Sequence, residues 1–380
     1  MAKNCQVIGG IMTKFIPVSE PSITQREIDY ILDAVKSGWV SSIGEYIEKF
    51  ERKFAEFVGT KYALTTSNGT TGLHLALVTF GIEEGDEVIV PDLTFIATAN
   101  AVAYTGAKPV FVDVDPETWC IDPEDIRKKV TSRTKAIIPV HLYGHPADMD
   151  AINDIAKEYG LFVLEDAAEA HGAEYKGKKV GSLGNAGVFS FYGNKIITTG
   201  EGGMITTNDE KFYERARYLR DQAMSKEKRY WHTDIGFNYR MTNIQAALGF
   251  AQLERIDELI DKKRQIFKWY KEYLGDIEGI RLNPEKEWAK NVYWMVCVVM
   301  DNDLGITRDE LIIKLKEKGI DTRPFFYPIS KMPMYNYGIV NNVAYKISQI
   351  GLNLPSGVNL TKSDVEYVCE NLKNIIKYGR

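Results

Sequence analysis

Apolar residues at Ile28, Ile31, Leu32 and Val35, and again at Ile47, Phe50, Phe54 and Phe57, recur in the three- and four-residue steps of an amphipathic helix. They predict helices over 24–36 and 45–58, with Gly59 ending the second. From residue 62 the period changes. Short apolar runs suited to buried strands (62–66, 87–90, 109–112, 136–140 and 161–164) alternate with helical stretches (71–80, 95–104, about 123–130 and 148–159). Two more strands are predicted at 188–191 and 204–207.

Repeated strand–helix units imply an α/β fold, with a mostly parallel sheet covered by helices on both faces. A long helical stretch over 241–274 leads out of it, and an apolar run at 292–300 with helices over 308–318 and 362–376 suggests a smaller α/β unit. A chain of 380 residues is too long for one small core. The expected division is an N-terminal extension over 1–14, a large domain over 15–255 and a small C-terminal domain over 256–380.

Composition narrows the function classes. A net charge of −5, without a long Lys/Arg run, argues against general affinity for nucleic acid but leaves room for a nucleotide in a local pocket. The 292–300 run is about half of what a membrane-spanning helix needs. No basic segment followed by an apolar stretch and a cleavage site opens the sequence, so a cytoplasmic location is expected. Cys5, Cys120, Cys297 and Cys369 form no CxxC pair and read as reduced thiols. His141 and His145 flank Tyr143-Gly144 ahead of Pro146 with no evident carboxylate or Cys partner, so no metal site is expected. They read as structural or as neighbours of a sugar pocket, His171 reads as a packed side chain, and Leu248, Leu253, Ile256, Leu259 and Ile260 as core or dimer contacts.

Four features carry candidate chemistry, and each alone has a plainer reading. Ser67-Asn68-Gly69-Thr70-Thr71-Gly72, between a strand and a helix, could present backbone N–H groups to an anion; it also suits an ordinary capped turn. It matches neither GxGxxG nor a Walker loop. Asp166 ends an apolar strand, where ligands of open α/β sheets sit, and could keep a pyridine nitrogen protonated; a helix cap or an ion pair would also use it. Lys195, in Ser190-Phe191-Tyr192-Gly193-Asn194-Lys195, could form an imine with an aldehyde, although most lysines are solvated charges. Phe95 could stack on a flat heterocycle or pack in a core. Their order along one sheet is that of a phosphate cradle, a stacking aromatic, a ring-nitrogen acid and a Schiff-base lysine.

With Gly38-Trp39-Val40-Ser41-Ser42-Ile43-Gly44, Glu165-Asp166-Ala167-Ala168-Glu169-Ala170, Gly200-Glu201-Gly202-Gly203, Gly236-Phe237-Asn238-Tyr239-Arg240-Met241 and Thr322-Arg323-Pro324, the chain resembles the sugar aminotransferases of the DegT/DnrJ/EryC1/StrS family over about residues 15–378. The resemblance implies the fold-type I architecture and pyridoxal 5'-phosphate bound to Lys195, with Lys195 and Asp166 catalytic. It implies that Gly69, Thr70 and Ser190 bind the cofactor phosphate together with Asn238 of a neighbouring subunit. Phe95 would cover the ring, Asp166 pair with its nitrogen and Glu169 sit near its 3-hydroxyl. Arg240, again from the neighbour, would hold a carboxylate of L-glutamate, while Trp39, Ser41, Ser42 and Arg323 would line the nucleotide-sugar site.

The segments Phe191-Tyr192-Gly193-Asn194-Lys195-Ile196-Ile197-Thr198-Thr199 and Arg229-Tyr230-Trp231 are most similar to the branch that makes GDP-perosamine. That likeness implies GDP-4-keto-6-deoxy-D-mannose as acceptor, L-glutamate as donor, a homodimer with shared active sites, and a product destined for surface polysaccharide such as O-antigen. Tyr192 replaces the Phe common in the motif, and Tyr327 stands where relatives often have His near the sugar or base. Three alternatives are an aminotransferase for a UDP- or dTDP-linked sugar, a sugar 3-dehydratase, and a non-catalytic regulator. The dehydratases carry His in place of Lys195, and a regulator has no need to retain lysine, acid and cradle together.

Overall fold

Residues along the central strands point alternately into two cores. Ile89, Ile137, Val163, Phe189 and Met204 join one buried cluster, while their neighbours Val88, Ala136, Leu164, Val188 and Ile205 join another. A strand covered on both faces must divide its side chains in this way, because its period is two residues.

The computed structural model describes residues 5–8 and 11–378. Its first elements are β1 (Cys5–Ile8), β2 (Ile11–Lys14), α1 (Gln25–Lys36), α2 (Glu45–Val58), β3 (Tyr62–Thr66), α3 (Gly69–Thr79), β4 (Glu87–Pro91), α4 (Ala97–Tyr104), β5 (Lys108–Val112), α5 (Pro123–Lys129) and β6 (Thr134–Ile137). There follow α6 (Met149–Tyr159), β7 (Phe162–Asp166), β8 (Glu174–Tyr175), β9 (Lys178–Lys179), β10 (Ala186–Ser190), β11 (Gly203–Thr207), α7 (Glu210–Arg220), α8 (Asn243–Leu253) and α9 (Ile256–Leu274). The last are β12 (Ile280–Leu282), β13 (Ala289–Lys290), β14 (Val296–Met300), α10 (Arg308–Glu317), β15 (Arg323–Pro324), α11 (Asn342–Ile350), β16 (Gly351–Leu354) and α12 (Lys362–Tyr378).

The main sheet has seven strands in the order β3-β11-β10-β7-β6-β4-β5. Every pairing is parallel except those of β11, which runs antiparallel to both β10 and β3. The expected mostly parallel sheet is therefore present with one reversed strand. A second, four-stranded antiparallel sheet, β12-β14-β16-β15, packs with α9, α10 and α12 around Ile266, Leu311, Leu315, Val365 and Leu372. Helix α9 serves both bodies, since Ile256, Leu259 and Ile260 join the core of the main sheet.

Two expectations need correction, and the extension gains a detail. The helical stretch predicted over 241–274 is two helices, because Arg255 leaves helical torsions (φ −121°, ψ 22°) and turns its guanidinium to Glu27 and Glu258, each at 2.9 Å. Within the N-terminal extension, β1 and β2 pair as an antiparallel ribbon; residues 1–4 and 9–10 lie outside the described residues. His141 does have a carboxylate partner, Glu165, at 3.0 Å; the two are distant in sequence and meet only because β6 and β7 are adjacent. Pattern also misses α7, whose sequence is dominated by charge but whose Phe212, Ala216 and Leu219 are buried at helical spacing behind an Asp209 cap.

Cys120, Cys297 and Cys369 are free and buried, and the side chain of Cys5 lies outside the described residues. Among the described residues no helix is long and apolar enough to cross a membrane, and no His/Cys/Asp/Glu group has the arrangement of a metal site.

Candidate active site

The carboxyl ends of β3, β7 and β10 bring Gly69, Asp166, Ser190 and Lys195 together. Asn68 caps α3 by accepting the Thr71 N–H at 2.9 Å, so the helix begins at Gly69 with its free N–H groups at the end of the sheet. The capped turn is thus formed, and the N–H groups that could meet an anion are those that open this helix. Gly69 lies against Ser190 at the end of β10: a Cβ on Gly69 would sit 3.0 Å from the Ser190 Cβ, so only glycine lets the two backbones approach this closely.

Asp166 ends β7 and is buried. Its Oδ2 accepts the Thr98 hydroxyl of α4 at 2.8 Å and its Oδ1 accepts the Ala168 N–H at 3.2 Å. Burial raises its pKa above the ordinary carboxylate value, while Thr98, Ala168 and the nearby Lys195 oppose that rise. A cationic nitrogen placed against this carboxylate would restore the charged form.

Lys195 lies in the chain reversal between β10 and β11, its N–H donating to the Tyr192 carbonyl at 2.9 Å. Its side chain is only 11% exposed. Its Nζ lies 3.7 Å from Glu169 Oε1 and 3.9 Å from the centre of the Trp294 ring. Burial lowers its pKa, the condition for shedding a proton, and the Glu169 and Asp166 carboxylates partly oppose that. Glu169 is pushed up to about 7 by burial, with Lys195 and the Tyr143 N–H pulling the other way. That N–H donates to Glu169 Oε2 at 2.8 Å from a backbone at φ 53°, a left-handed conformation rare for a tyrosine.

Phe95 is 55% exposed, and its ring is 5.8 Å from Phe326, which stacks on Tyr143. His171 is packed beside Phe189 and Phe191 and is driven down to about 3 by burial, so it is neutral; both ring nitrogens lack a hydrogen-bond partner among the described residues. His145 is likewise a packed residue, bonded through its ring to the Pro146 carbonyl and the Lys286 N–H.

The remaining predicted residues form other groups. Asn238 accepts from Arg240, whose guanidinium also reaches Asp221 at 2.6 Å. This segment abuts the cradle of its own chain, where the Ser67 N–H donates to the Tyr239 carbonyl at 2.8 Å. Ser42 and Arg240 line a cleft of about 960 Å³ with Glu51, Arg52, Arg217 and Arg220, and neither Lys195 nor Asp166 lines it. Ser41 and Trp39 are tied through their carbonyls to Asn243 of α8, and the Trp39 ring is exposed. Arg323 lies on β15 of the second sheet, paired with Asp321. Thr98, Tyr143 and Trp294 escaped the sequence reading. Thr98 had a faint signal, one helical turn beyond Phe95; Trp294 sits in an apolar run and had none.

The profile of the DegT/DnrJ/EryC1/StrS aminotransferase family matches residues 21–373. The chain belongs to this family. A GDP-perosamine synthase of Escherichia coli O157:H7 is 49% identical to this aminotransferase, over 94% of this chain and 98% of that one. A GDP-perosamine synthase of Vibrio cholerae is 42% identical over 94% and 98%. Among solved structures, the aminotransferase TlmJ of Streptoalloteichus hindustanus superposes with a TM-score of 0.92 at 31% identity, covering 96% of this chain and all of that one. DesV of S. venezuelae, in complex with a ketimine intermediate, gives 0.87 at 34%, covering 93% and 95%. The fold is that of the fold-type I sugar aminotransferases, and pyridoxal 5'-phosphate is the cofactor. The residues present fit it: a glycine cradle whose Cβ position is filled by Ser190, a buried acid, a desolvated lysine and an exposed aromatic ring.

Proposed function

We propose that this aminotransferase moves the amino group of L-glutamate to C4 of GDP-4-keto-6-deoxy-D-mannose, giving GDP-perosamine. The observation that carries the chemistry is the buried Lys195 amine, 3.7 Å from Glu169 and electrostatically coupled to Asp166. The choice of sugar rests on the two synthases 49% and 42% identical over nearly the whole chain. A dTDP-linked acceptor is the second reading, supported by the 31% identical DesI, solved with its TDP-sugar product.

Bound pyridoxal phosphate supplies an aldehyde carbon that bonds to amines and a ring that takes up electron density from the adjoining carbon. Gly69, Thr70 and Ser190 hold its phosphate, with Asn238 of a second copy, and Phe95 covers its ring. Asp166 would keep a proton on the ring nitrogen, because a buried carboxylate favours a cation beside it. Lys195 would hold the aldehyde carbon and, as a free amine, would move protons on Nζ to and from the substrate carbon, a task its burial prepares by weakening its hold on the proton. Arg240 of a second copy holds a carboxylate of glutamate, and Trp39, Ser41, Ser42 and Arg323 line the nucleotide-sugar site. The working assembly is thus a homodimer, acting in the cytoplasm to supply an amino sugar for surface polysaccharide such as O-antigen.

The test incubates pure enzyme with L-glutamate and a panel of GDP-, UDP- and dTDP-linked 4-keto sugars. Amination of the GDP sugar alone is the expected result, and amination confined to another nucleotide sinks the substrate. Lys195→Ala should abolish turnover and the absorbance of the lysine-bound cofactor while keeping the fold; retained activity would overturn the role of Lys195.

A further inference from the structure

Among the described residues, Glu169 and Trp294 make the close contacts with the Lys195 amine, and of these only Glu169 is a predicted site residue. The other is the face of Trp294, a buried residue between β13 and β14. Its indole N–H donates to the Asn194 carbonyl at 2.8 Å, the peptide unit that leads directly into Lys195. Its own carbonyl accepts from Lys263 Nζ at 2.9 Å, and its ring lies parallel to that of Tyr143, with centres 6.2 Å apart. Tyr143 in turn fixes Glu169 through its N–H.

We propose that Trp294 is a positioning residue for the catalytic lysine: its indole face and Glu169 form a seat that receives the Lys195 ammonium whenever that amine is not bonded to the cofactor. The inference rests on Lys195 being the cofactor lysine. Two contacts from one side chain make the seat. The N–H fixes where the lysine backbone starts, and the π-face fixes where its Nζ rests, so the long flexible stem has both ends held.

An ammonium 3.9 Å above an indole centre is at contact distance, and in a desolvated site such a pair is stronger than on a surface. The face of Trp294 therefore favours the protonated amine and works with the Glu169 and Asp166 carboxylates against burial. His171, the remaining titratable group coupled to Lys195, stays neutral and adds no charge. A seat that holds the proton without a formal charge lets Lys195 release it more readily than a third carboxylate would.

The test strips the full-length enzyme of cofactor and measures how acetylation of Lys195 by acetic anhydride depends on pH, read by peptide mass spectrometry. The plateau at high pH reports access, and the midpoint reports proton affinity. Trp294→Leu should move the midpoint down by roughly half a pH unit or more, and Trp294→Phe, which keeps a π-face, should restore most of it. Should the Leu variant fail to fold, replacing all six tryptophans by difluorotryptophan keeps the shape while draining the ring of charge, and should produce the same downward shift. Midpoints coincident with the parent in the variants that fold would overturn the proposal. Borohydride reduction of the parent holoenzyme separates the two readings: a pyridoxyl group elsewhere than Lys195 refutes the assignment of the cofactor lysine, whereas the group on Lys195 with an unmoved midpoint refutes only the role of Trp294.

Discussion

Glu165 and Asp166 are consecutive residues of β7 whose side chains leave opposite faces of the sheet, and the first is expected to be as sensitive as the second for a purely structural reason. Each oxygen of the buried Glu165 carboxylate meets two donors. Oε2 accepts the Gly181 N–H at 2.7 Å and faces His141 Nε2 at 3.0 Å; Oε1 accepts the N–H groups of Leu183 and Gly184, both at 2.7 Å. His141 must be the donor, because its Nδ1 already accepts the Ala147 N–H. Glu165→Gln preserves volume but turns one of the two oxygens into an amine, and whichever way the amide rotates, that amine confronts two donors. Two hydrogen bonds to a charged acceptor are lost, at roughly 1.5–3 kcal/mol each, for an expected loss of about 3–6 kcal/mol. That is a large part of the stability of an ordinary domain. Urea unfolding followed by far-ultraviolet circular dichroism measures it. Because the backbone N–H of His141 donates to the Asp166 carbonyl at 3.1 Å, cofactor retention should fall in parallel. A variant within about 1 kcal/mol of the parent would show that the carboxylate is not held as described.

Asp166→Asn should slow both half-reactions by ~100-fold or more with little change in melting temperature, since the amide cannot hold a ring proton by charge; stopped-flow absorbance with glutamate alone and with sugar alone checks this, and parent-like rates would remove the role. Gly203→Ala would place a Cβ 2.5 Å from the Asn68 carbonyl oxygen and 2.6 Å from Thr66 Oγ1, so β11 must shift from the cradle; a loss of about 1–3 kcal/mol with weakened cofactor binding is expected in a thermal melt and a cofactor titration. Glu169, pushed up to about 7 by burial, holds its proton in the folded state after an unfolded carboxyl has lost it. Its contribution to stability is therefore complete below about pH 4.5 and fades as pH rises to about 7, and Glu169→Gln should flatten that decline in a comparison of melting temperatures across the range.

Periodicity was enough to read the strand–helix alternation, because a sheet covered on both faces writes continuous apolar runs into β4, β6 and β7. The direction of β11 was not legible: an apolar strand reads the same in either sense, and nothing in residues 191–202 announces a reversal. Asp166 and Lys195 could be picked out because strand ends and glycine-rich turns mark where ligands reach the backbone. Trp294 could not, since a tryptophan in an apolar run is first a core residue, and its bond to Asn194 spans about a hundred positions. His141 and Glu165 illustrate the same limit, being partners only through the pairing of β6 with β7.

The reversed strand also sets a timetable. As an edge strand, β3 enters the main sheet through β11, which is synthesised far later, while β4, β5, β6 and β7 can pair with one another as they emerge. The capped turn that follows β3 and the Lys195 loop that precedes β11 are thus completed by one late docking event. A nascent chain should be unable to capture the vitamin until Thr207 has cleared the ribosome, so the holoprotein can arise only from a finished sheet.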